Sequence, residues 1–297
     1  MALRDSVGFS EVRLSLGQKL WNVNWTLVLL ICLTASIGFA MLYSVSEGTV
    51  DTWIKRQTVR FGVGFVLMFL VALVDIRIWL RYAYAIYFLA LGLLGAVEVI
   101  GVVGMGAQRW VNLGVVNLQP SEIMKIAVVL ALARYFHGLT NEEVERLRWL
   151  AIPLVLVAAP VVLVLRQPDL GTALLLAIGG GAMFFLAGVR MWIFGSVAFA
   201  ALAAIPFAWH YLRDYQRDRI LTFLNPERDP LGAGYHILQS KIALGSGGLL
   251  GKGFMNGSQS QLDFLPEKQT DFIFTMLAEE FGLIGGLVLL ALYALML

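Results

Sequence analysis

Apolar residues in this chain come in long unbroken runs divided by short polar stretches, and it is run length, not alternation, that carries the fold signal. The runs are Trp25 to Ser44, Val59 to Val74, Tyr82 to Val103, Ile123 to Phe136, Leu150 to Leu165, Leu170 to Gly188, Met191 to Trp209 and Phe272 to Leu297. Each approaches the about 20 residues that a helix needs to cross a bilayer. They predict an all-α polytopic membrane protein of eight transmembrane helices, the second and fourth short and the fifth and sixth separated only by Arg166 to Asp169. Every Trp (21, 25, 53, 79, 110, 149, 192 and 209) falls at a run end or in a loop, where amphipathic rings settle at the membrane–water interface.

Composition agrees with the pattern. The 297 residues are 59% hydrophobic and 14% charged, with mean hydropathy +0.78, against about 25% charged in soluble domains. A net charge of +2 with no basic stripe argues against nucleic-acid binding. The single cysteine, Cys32, excludes a disulfide framework. The first run exceeds the about 7 to 15 apolar residues of a secretory signal, so it reads as an anchor. The chain stops at Leu297 inside an apolar run, which reads as the truncated end of a single membrane domain spanning 1–297.

Orientation follows from Lys and Arg in the short loops. With the N-terminus inside, Arg4, Arg13, Lys19, Arg77, Arg81, Arg134, Arg146, Arg148 and Arg190 are cytoplasmic, and they outnumber Lys55, Arg56, Arg60, Arg109, Lys125 and Arg166 outside. The stretch 210–270 is then a large extracytoplasmic loop between helices seven and eight. It carries Arg213, Arg217, Arg219, Arg228, Lys241, Lys252 and Lys268. Its segments Leu212 to Leu224 and Tyr235 to Leu244 have amphipathic helical spacing suited to the membrane surface. The glycine-rich turn Gly245 to Gly253 fails the Walker A pattern, because Ser246 stands where Gly is needed and Gly253 where Ser or Thr is needed. It reads as a hinge or tight turn.

The chemistry concentrates at helix ends. Between Leu262 and Gly282 a polar run with Asp263, Glu267, Lys268 and Asp271 enters an apolar helix directly. An acid such as Asp271 at that mouth stays reachable by water while the helix fixes it, which suits a base acting on a membrane-held substrate. Near the fourth run, Arg109 and Trp110 precede Pro120, a helix start, and Glu122 and Lys125 follow at i, i+3. That pair is either a local ion pair or part of an outward cavity. Arg166 and Asp169 either pair across a tight turn or leave a guanidinium free to bind phosphate. Glu98, Glu279 and Glu280 lie within apolar runs, so they are neutral, paired or facing a polar cavity; interhelix hydrogen bonding and proton coupling both fit. His137, His210 and His236 show no metal-ligand spacing, and no nucleophilic triad is present.

Five stretches taken in order, GAQRWVNLG, QPSEIMKIA, RQPDLGTA, NPERDPLGAGYHILQSKIALGSGGLLGKG and FLPEKQTDFIFTMLAEEFG, resemble the SEDS family of shape, elongation, division and sporulation proteins. The likeness runs from about Trp25 to Leu297 and is nearer the rod-shape branch than the division branch. It implies a ten-span fold, about two spans of which are missing here. It also implies a peptidoglycan glycosyltransferase that polymerises lipid II at the outer face of the cytoplasmic membrane for cell elongation, in complex with a class B penicillin-binding protein and other elongation proteins.

The resemblance places the family's catalytic Asp on Asp271, with Thr270 beside it, and it places substrate contacts on Arg109, Trp110, Glu122 and Lys125. Arg166, Asp169, Arg217, Arg219, Lys241, Glu267 and Lys268 complete the expected substrate site. A divalent cation, Mg or Mn, is the one cofactor considered. Gln269 stands where most members carry His, which weakens any proton relay through that position. A lipid II flippase and a non-catalytic scaffold of the wall-synthesis complex are the alternatives.

Overall fold

The computed structural model describes residues 15–50, 52–104, 107–112, 117–212, 214–229, 232–258 and 268–297. Its elements in chain order are α1 (Leu16–Trp21), α2 (Trp25–Val45), α3 (Thr52–Leu73), α4 (Ile76–Ile100), β1 (Val102–Gly104), β2 (Ala107–Asn112), β3 (Asn117–Leu118), α5 (Pro120–His137), α6 (Asn141–Val144), α7 (Leu147–Arg166), α8 (Leu170–Leu186), α9 (Met191–Tyr211), α10 (Asp214–Leu224), α11 (Ala233–Ser246) and α12 (Ile273–Met296). Among the described residues, α2, α3, α4, α7 and α12 are long and apolar enough to cross a membrane, and Leu170–Leu186 and Met191–Phe207 are shorter apolar helices. The outward faces of these helices carry large exposed side chains. α3 buries none of its residues, leaving Val59, Leu67 and Leu70 open, as lipid-facing helices require.

The span expected to reach Val103 stops at Ile100. Gly101 takes an extended conformation (φ −67°, ψ 148°), and the chain enters a three-stranded antiparallel sheet in the order β1-β2-β3. Val102 and Val103, β-branched and bounded by glycines at 101 and 104, favour strand over helix. The two segments with amphipathic helical spacing are helices, α10 and α11.

The chain folds as two compact units, Val74–Phe207 and Met1–Leu73 with Ala208–Leu297. In the first, α4, α5, α7 and α8 enclose a core of Tyr87, Leu94, Met124, Val128, Leu132, Leu156, Val164 and Leu176. Close helix approach at small residues holds such bundles in lipid; a Cβ on Gly180 of α8 would come within 2.7 Å of Val157 on α7. α7 contains Pro153 and Pro160. Proline has no N–H, so the carbonyls four residues earlier, of Trp149 and Leu156, lose their helical donors. Two tyrosines supply the loss: Tyr135 donates its hydroxyl to the Trp149 carbonyl at 2.7 Å, and Tyr87 donates to the Leu156 carbonyl at 2.9 Å.

In the second unit α2 and α11 pack on α12 around Met41, Val45, Ala243, Met276 and Leu277. α12 is broken at Gly282, whose φ 65° and ψ −162° are not helical. In a continuous helix the amides of Leu283 and Ile284 would bond to the carbonyls of Glu279 and Glu280. Here the glycine-rich turn takes all four groups. Lys252 and Gly253 donate their amides to the carbonyls of Glu279 (3.0 Å) and Glu280 (2.9 Å), while Leu283 and Ile284 donate to the carbonyls of Gly248 (2.9 Å) and Leu249 (3.2 Å). That pairing requires backbone contact, since a Cβ at Gly251 would lie 2.1 Å from the Glu280 carbonyl oxygen and one at Gly247 2.1 Å from that of Ala278. The turn is therefore the hydrogen-bonding partner of a broken membrane helix.

Candidate active site

The expected site residues divide between the two units. In the unit containing α12, residues 268–272 form the turn that feeds this helix. Asp271 and Thr270 are exposed there, and Lys268 and Gln269 are half-buried. Gln269 and Thr270 line one side of a cavity of about 590 Å³. Its walls are apolar, among them Ile31, Phe39, Phe61 and Ile273, and α3 contributes Gln57 and Arg60. The cavity thus combines apolar surface with a few amide, hydroxyl and guanidinium groups beside the mouth of the helix. That mixture suits a ligand with an apolar chain and a polar or anionic head.

Arg217 is engaged close to home. It donates to the carbonyls of Trp209 (3.0 Å) and His210 (2.9 Å) at the end of α9 and lies 3.8 Å from the Asp214 carboxylate. Lys241 is exposed on α11, and Arg219 belongs to α10. Glu267 and Asp263 lie outside the described residues.

In the other unit Arg109 leaves β2 and spans the connection between α7 and α8. It donates to the carbonyls of Gln167 (3.3 Å) and Pro168 (2.7 Å), and its guanidinium is 3.6 Å from the Asp169 carboxylate. Asp169 also caps α8, accepting from the Thr172 amide (3.2 Å) and hydroxyl (2.9 Å). Asp169 therefore pairs with Arg109 and not across its own turn with Arg166, whose side chain is exposed. Glu122 and Lys125 form the local ion pair, at 2.9 Å on the first turns of α5, and Trp110 is exposed on β2. Each unit thus presents a cluster of its own: Arg109 and Asp169 in one, and Asp271, Thr270 and the cavity in the other.

Several residues at the sites were not expected. Gln57 and Arg60, three apart on α3, were readable only as loop charge and helix polarity; their common helical face was the available signal. Lys252, Ser44 and Ser258 hold the buried acids of α12. Glu279 accepts from the Lys252 ammonium at 2.6 Å and the Ser258 hydroxyl at 3.0 Å, and Glu280 accepts from the Ser44 hydroxyl and from the Met255 amide at 3.2 Å. Hydrogen bonding between segments, one of the two roles open to these acids, is what the structure shows. Among the described residues no group of three His, Cys, Asp or Glu is placed to hold a metal ion.

Comparison with known proteins gives a consistent picture. Residues 24–297 match the cell cycle protein family of FtsW, RodA and SpoVE. The chain is 46% identical over 272 residues to the peptidoglycan glycosyltransferase MrdB of Escherichia coli strain K12, covering 91% of this chain and 72% of that one. It is 36% identical over 291 residues to the probable peptidoglycan glycosyltransferase FtsW of Trichlorobacter lovleyi, covering 93% and 74%. Among solved structures, the rod shape determining protein RodA of Thermus thermophilus aligns with TM-score 0.64 at 29% identity over 93% of this chain and 73% of that one. A chain from a peptidoglycan synthase complex, described as coordinating polymerization and crosslinking, aligns with TM-score 0.74 at 33% identity over 92% and 75%.

Proposed function

Because the chain belongs to the FtsW, RodA and SpoVE family of cell cycle proteins, we propose that it polymerises lipid II into glycan strands, with Asp271 as general base. It is a membrane-embedded peptidoglycan glycosyltransferase of the cell-shape type. The observation that supports the detailed reading is the placement of Asp271. It is exposed at the mouth of α12, next to Gln269 and Thr270, which line the cavity shared with Arg60.

The chemistry fits that placement. Asp271 takes the proton of the acceptor GlcNAc 4-hydroxyl as that oxygen attacks the donor MurNAc anomeric carbon. The bond from that carbon to the diphosphate oxygen breaks with inversion, and undecaprenyl diphosphate departs with the electron pair. A diphosphate leaves without being protonated when cations stabilise its charge. Arg109, Lys125, Arg166, Arg217 and Arg219 are the proposed cations, with Lys241 and Lys268 as further substrate contacts. Arg217 reaches substrate only by releasing the α9 carbonyls. Trp110, Glu122, Asp169 and Thr270 orient the substrate or its cations, and Glu267 completes the set. Among the described residues no three His, Cys, Asp or Glu side chains gather at one point.

The same reading gives the protein eight spans here of a ten-span family fold, an N-terminus in the cytoplasm and its chemistry at the outer face of the cytoplasmic membrane, with 210–270 extracytoplasmic and the whole of 1–297 one membrane domain. It pairs the chain with a class B penicillin-binding protein transpeptidase and the elongation complex. The synthase complex among its structural relatives supports that pairing.

Purified full-length protein with its partner, given lipid II, tests the base. Asp271→Asn should abolish strand synthesis while lipid and partner binding persist. Strand synthesis unchanged in that variant refutes the role of Asp271. Translocation of labelled lipid II in sealed vesicles without strand synthesis by the wild type would establish a flippase instead, and neither activity would leave a scaffold.

A further inference from the structure

We infer that Glu279, held by Lys252 and Ser258, is a positioning residue for the transfer reaction: it sets the tilt of the half-helix that carries Asp271 at its mouth. This rests on the glycosyltransferase reading. The break at Gly282 isolates Ile273 to Phe281 as a piece of about two and a half turns at 3.6 residues each. No helical hydrogen bond carries the orientation of the second half of α12 into the first across the carbonyls of Glu279 and Glu280, because the glycine-rich turn occupies them. The lower end of the piece is therefore oriented by what grips it from outside.

The grip is polar and buried. Glu279 and Glu280 are 0% and 1% exposed. Glu279 Oε1 accepts from Lys252 Nζ at 2.6 Å and Ser258 Oγ at 3.0 Å, and Lys252 Nζ also donates to Ser258 Oγ at 2.7 Å, closing a triangle. Glu280 takes Ser44 from α2 and the amide of Met255. Met255 has φ 62°, a left-handed conformation that a residue with a side chain rarely adopts; holding it there is the kind of stored strain that accompanies functional sites. Gly257 packs against both carboxylates, a Cβ there meeting Glu279 Oε2 at 3.1 Å and Glu280 Cγ at 3.4 Å.

Glu279 stands six residues along α12 from Ile273 and eight from Asp271 in the turn before it, roughly 9 to 12 Å at about 1.5 Å per residue. Over that lever a tilt of about 5° moves the aspartate by about 1 Å, a misplacement that costs about a hundredfold in rate when reacting groups must align.

The experiment uses the full-length protein with its transpeptidase partner and lipid II, reading kcat, KM, melting temperature and hydrogen exchange at residues 270–276. Glu279→Gln should lower kcat at least tenfold with KM within about twofold, and it should speed amide exchange at the helix mouth. Lys252→Arg, which keeps the charge, should retain at least a third of kcat. The double variant Lys252→Met/Glu279→Gln removes the charge imbalance; it should recover the wild-type melting temperature but not kcat. Ser258→Ala removes two of the triangle's hydrogen bonds, to Glu279 and from Lys252, and should lower kcat about threefold with the fold intact. Recovery of kcat together with melting temperature in the double variant, a loss carried by KM, or wild-type exchange at 270–276 in Glu279→Gln would each overturn the inference. Wild-type protein that makes no strands while Glu279→Gln still speeds exchange refutes the polymerase reading, and the catalytic role of the grip falls with it.

Discussion

Replacing Tyr87 by Phe tests the claim that tyrosine hydroxyls repair the proline gaps in α7. The hydroxyl donates to the Leu156 carbonyl at 2.9 Å, and Tyr87 is 2% exposed, so no water can take its place. Leaving a buried carbonyl unpaired costs about 1 to 3 kcal/mol. Hydrogen bonds between membrane helices average about 0.6 and reach about 1.7 kcal/mol, which favours the lower part of that range. A loss of about 1 to 2 kcal/mol corresponds to a melting temperature lower by about 2 to 8 °C for a chain of this size, measured by thermal unfolding of the purified protein in detergent. The decisive arm is Pro160→Ala, which returns an amide to the Leu156 carbonyl. In that background Tyr87→Phe should cost less than half as much, and Tyr135→Phe should behave likewise with Pro153→Ala, since Tyr135 serves the Trp149 carbonyl. Equal costs of Tyr87→Phe with and without Pro160 would refute the reasoning.

Gly282→Ala should be severe. Its backbone is in a region nearly exclusive to glycine, and the new Cβ would lie 2.4 Å from the Gly251 nitrogen and 2.5 Å from the Leu249 oxygen. A loss above about 3 kcal/mol is expected from conformation and overlap together, whereas Gly181→Ala, with nothing within 4 Å, should be neutral or stabilise by up to about 1 kcal/mol; similar melting temperatures for the two variants would contradict the broken-helix geometry. Lys125→Met should leave the melting temperature within about 2 °C, because exposed ion pairs contribute under about 1 kcal/mol, while strand synthesis falls if Lys125 binds diphosphate; full synthesis in the folded variant would remove it from the site.

How far the sequence revealed the molecule depended on whether a feature was local. All eight apolar runs are helical, and among the described residues five of them are long and apolar enough to cross a membrane, while Asp75, Asn24 and Asp169 cap their helices as their residue types predict. The small sheet was missed because Val102 and Val103 continue an apolar run without a change in hydropathy. The position of Asp271 at a helix mouth was legible because a polar run there enters an apolar one directly. The pairing of Asp169 with Arg109, separated by sixty positions in sequence, was not: adjacency in sequence pointed to Arg166, and only the fold of β2 against the α7–α8 connection reverses that choice. Lys252 and Ser258 were hidden for the same reason, since nothing local in a glycine-rich turn announces a carboxylate partner on a distant helix.

A single constraint explains why these long-range partners exist. In hydrocarbon no water stands ready for a freed backbone group, so each interruption of a helix needs an assigned partner. α7 is interrupted twice by proline, and a tyrosine from a neighbouring helix answers each time. α12 is interrupted by Gly282, and the turn from Gly247 to Gly253 answers with four backbone hydrogen bonds. The first kind of repair fills one vacancy and leaves the helix continuous. The second replaces the helix's own bonds with those of another segment, and it brings Lys252 and Ser258 against Glu279 as a result. Of the two, only the second leaves the orientation of a half-helix, the one that follows Asp271, to contacts from another segment.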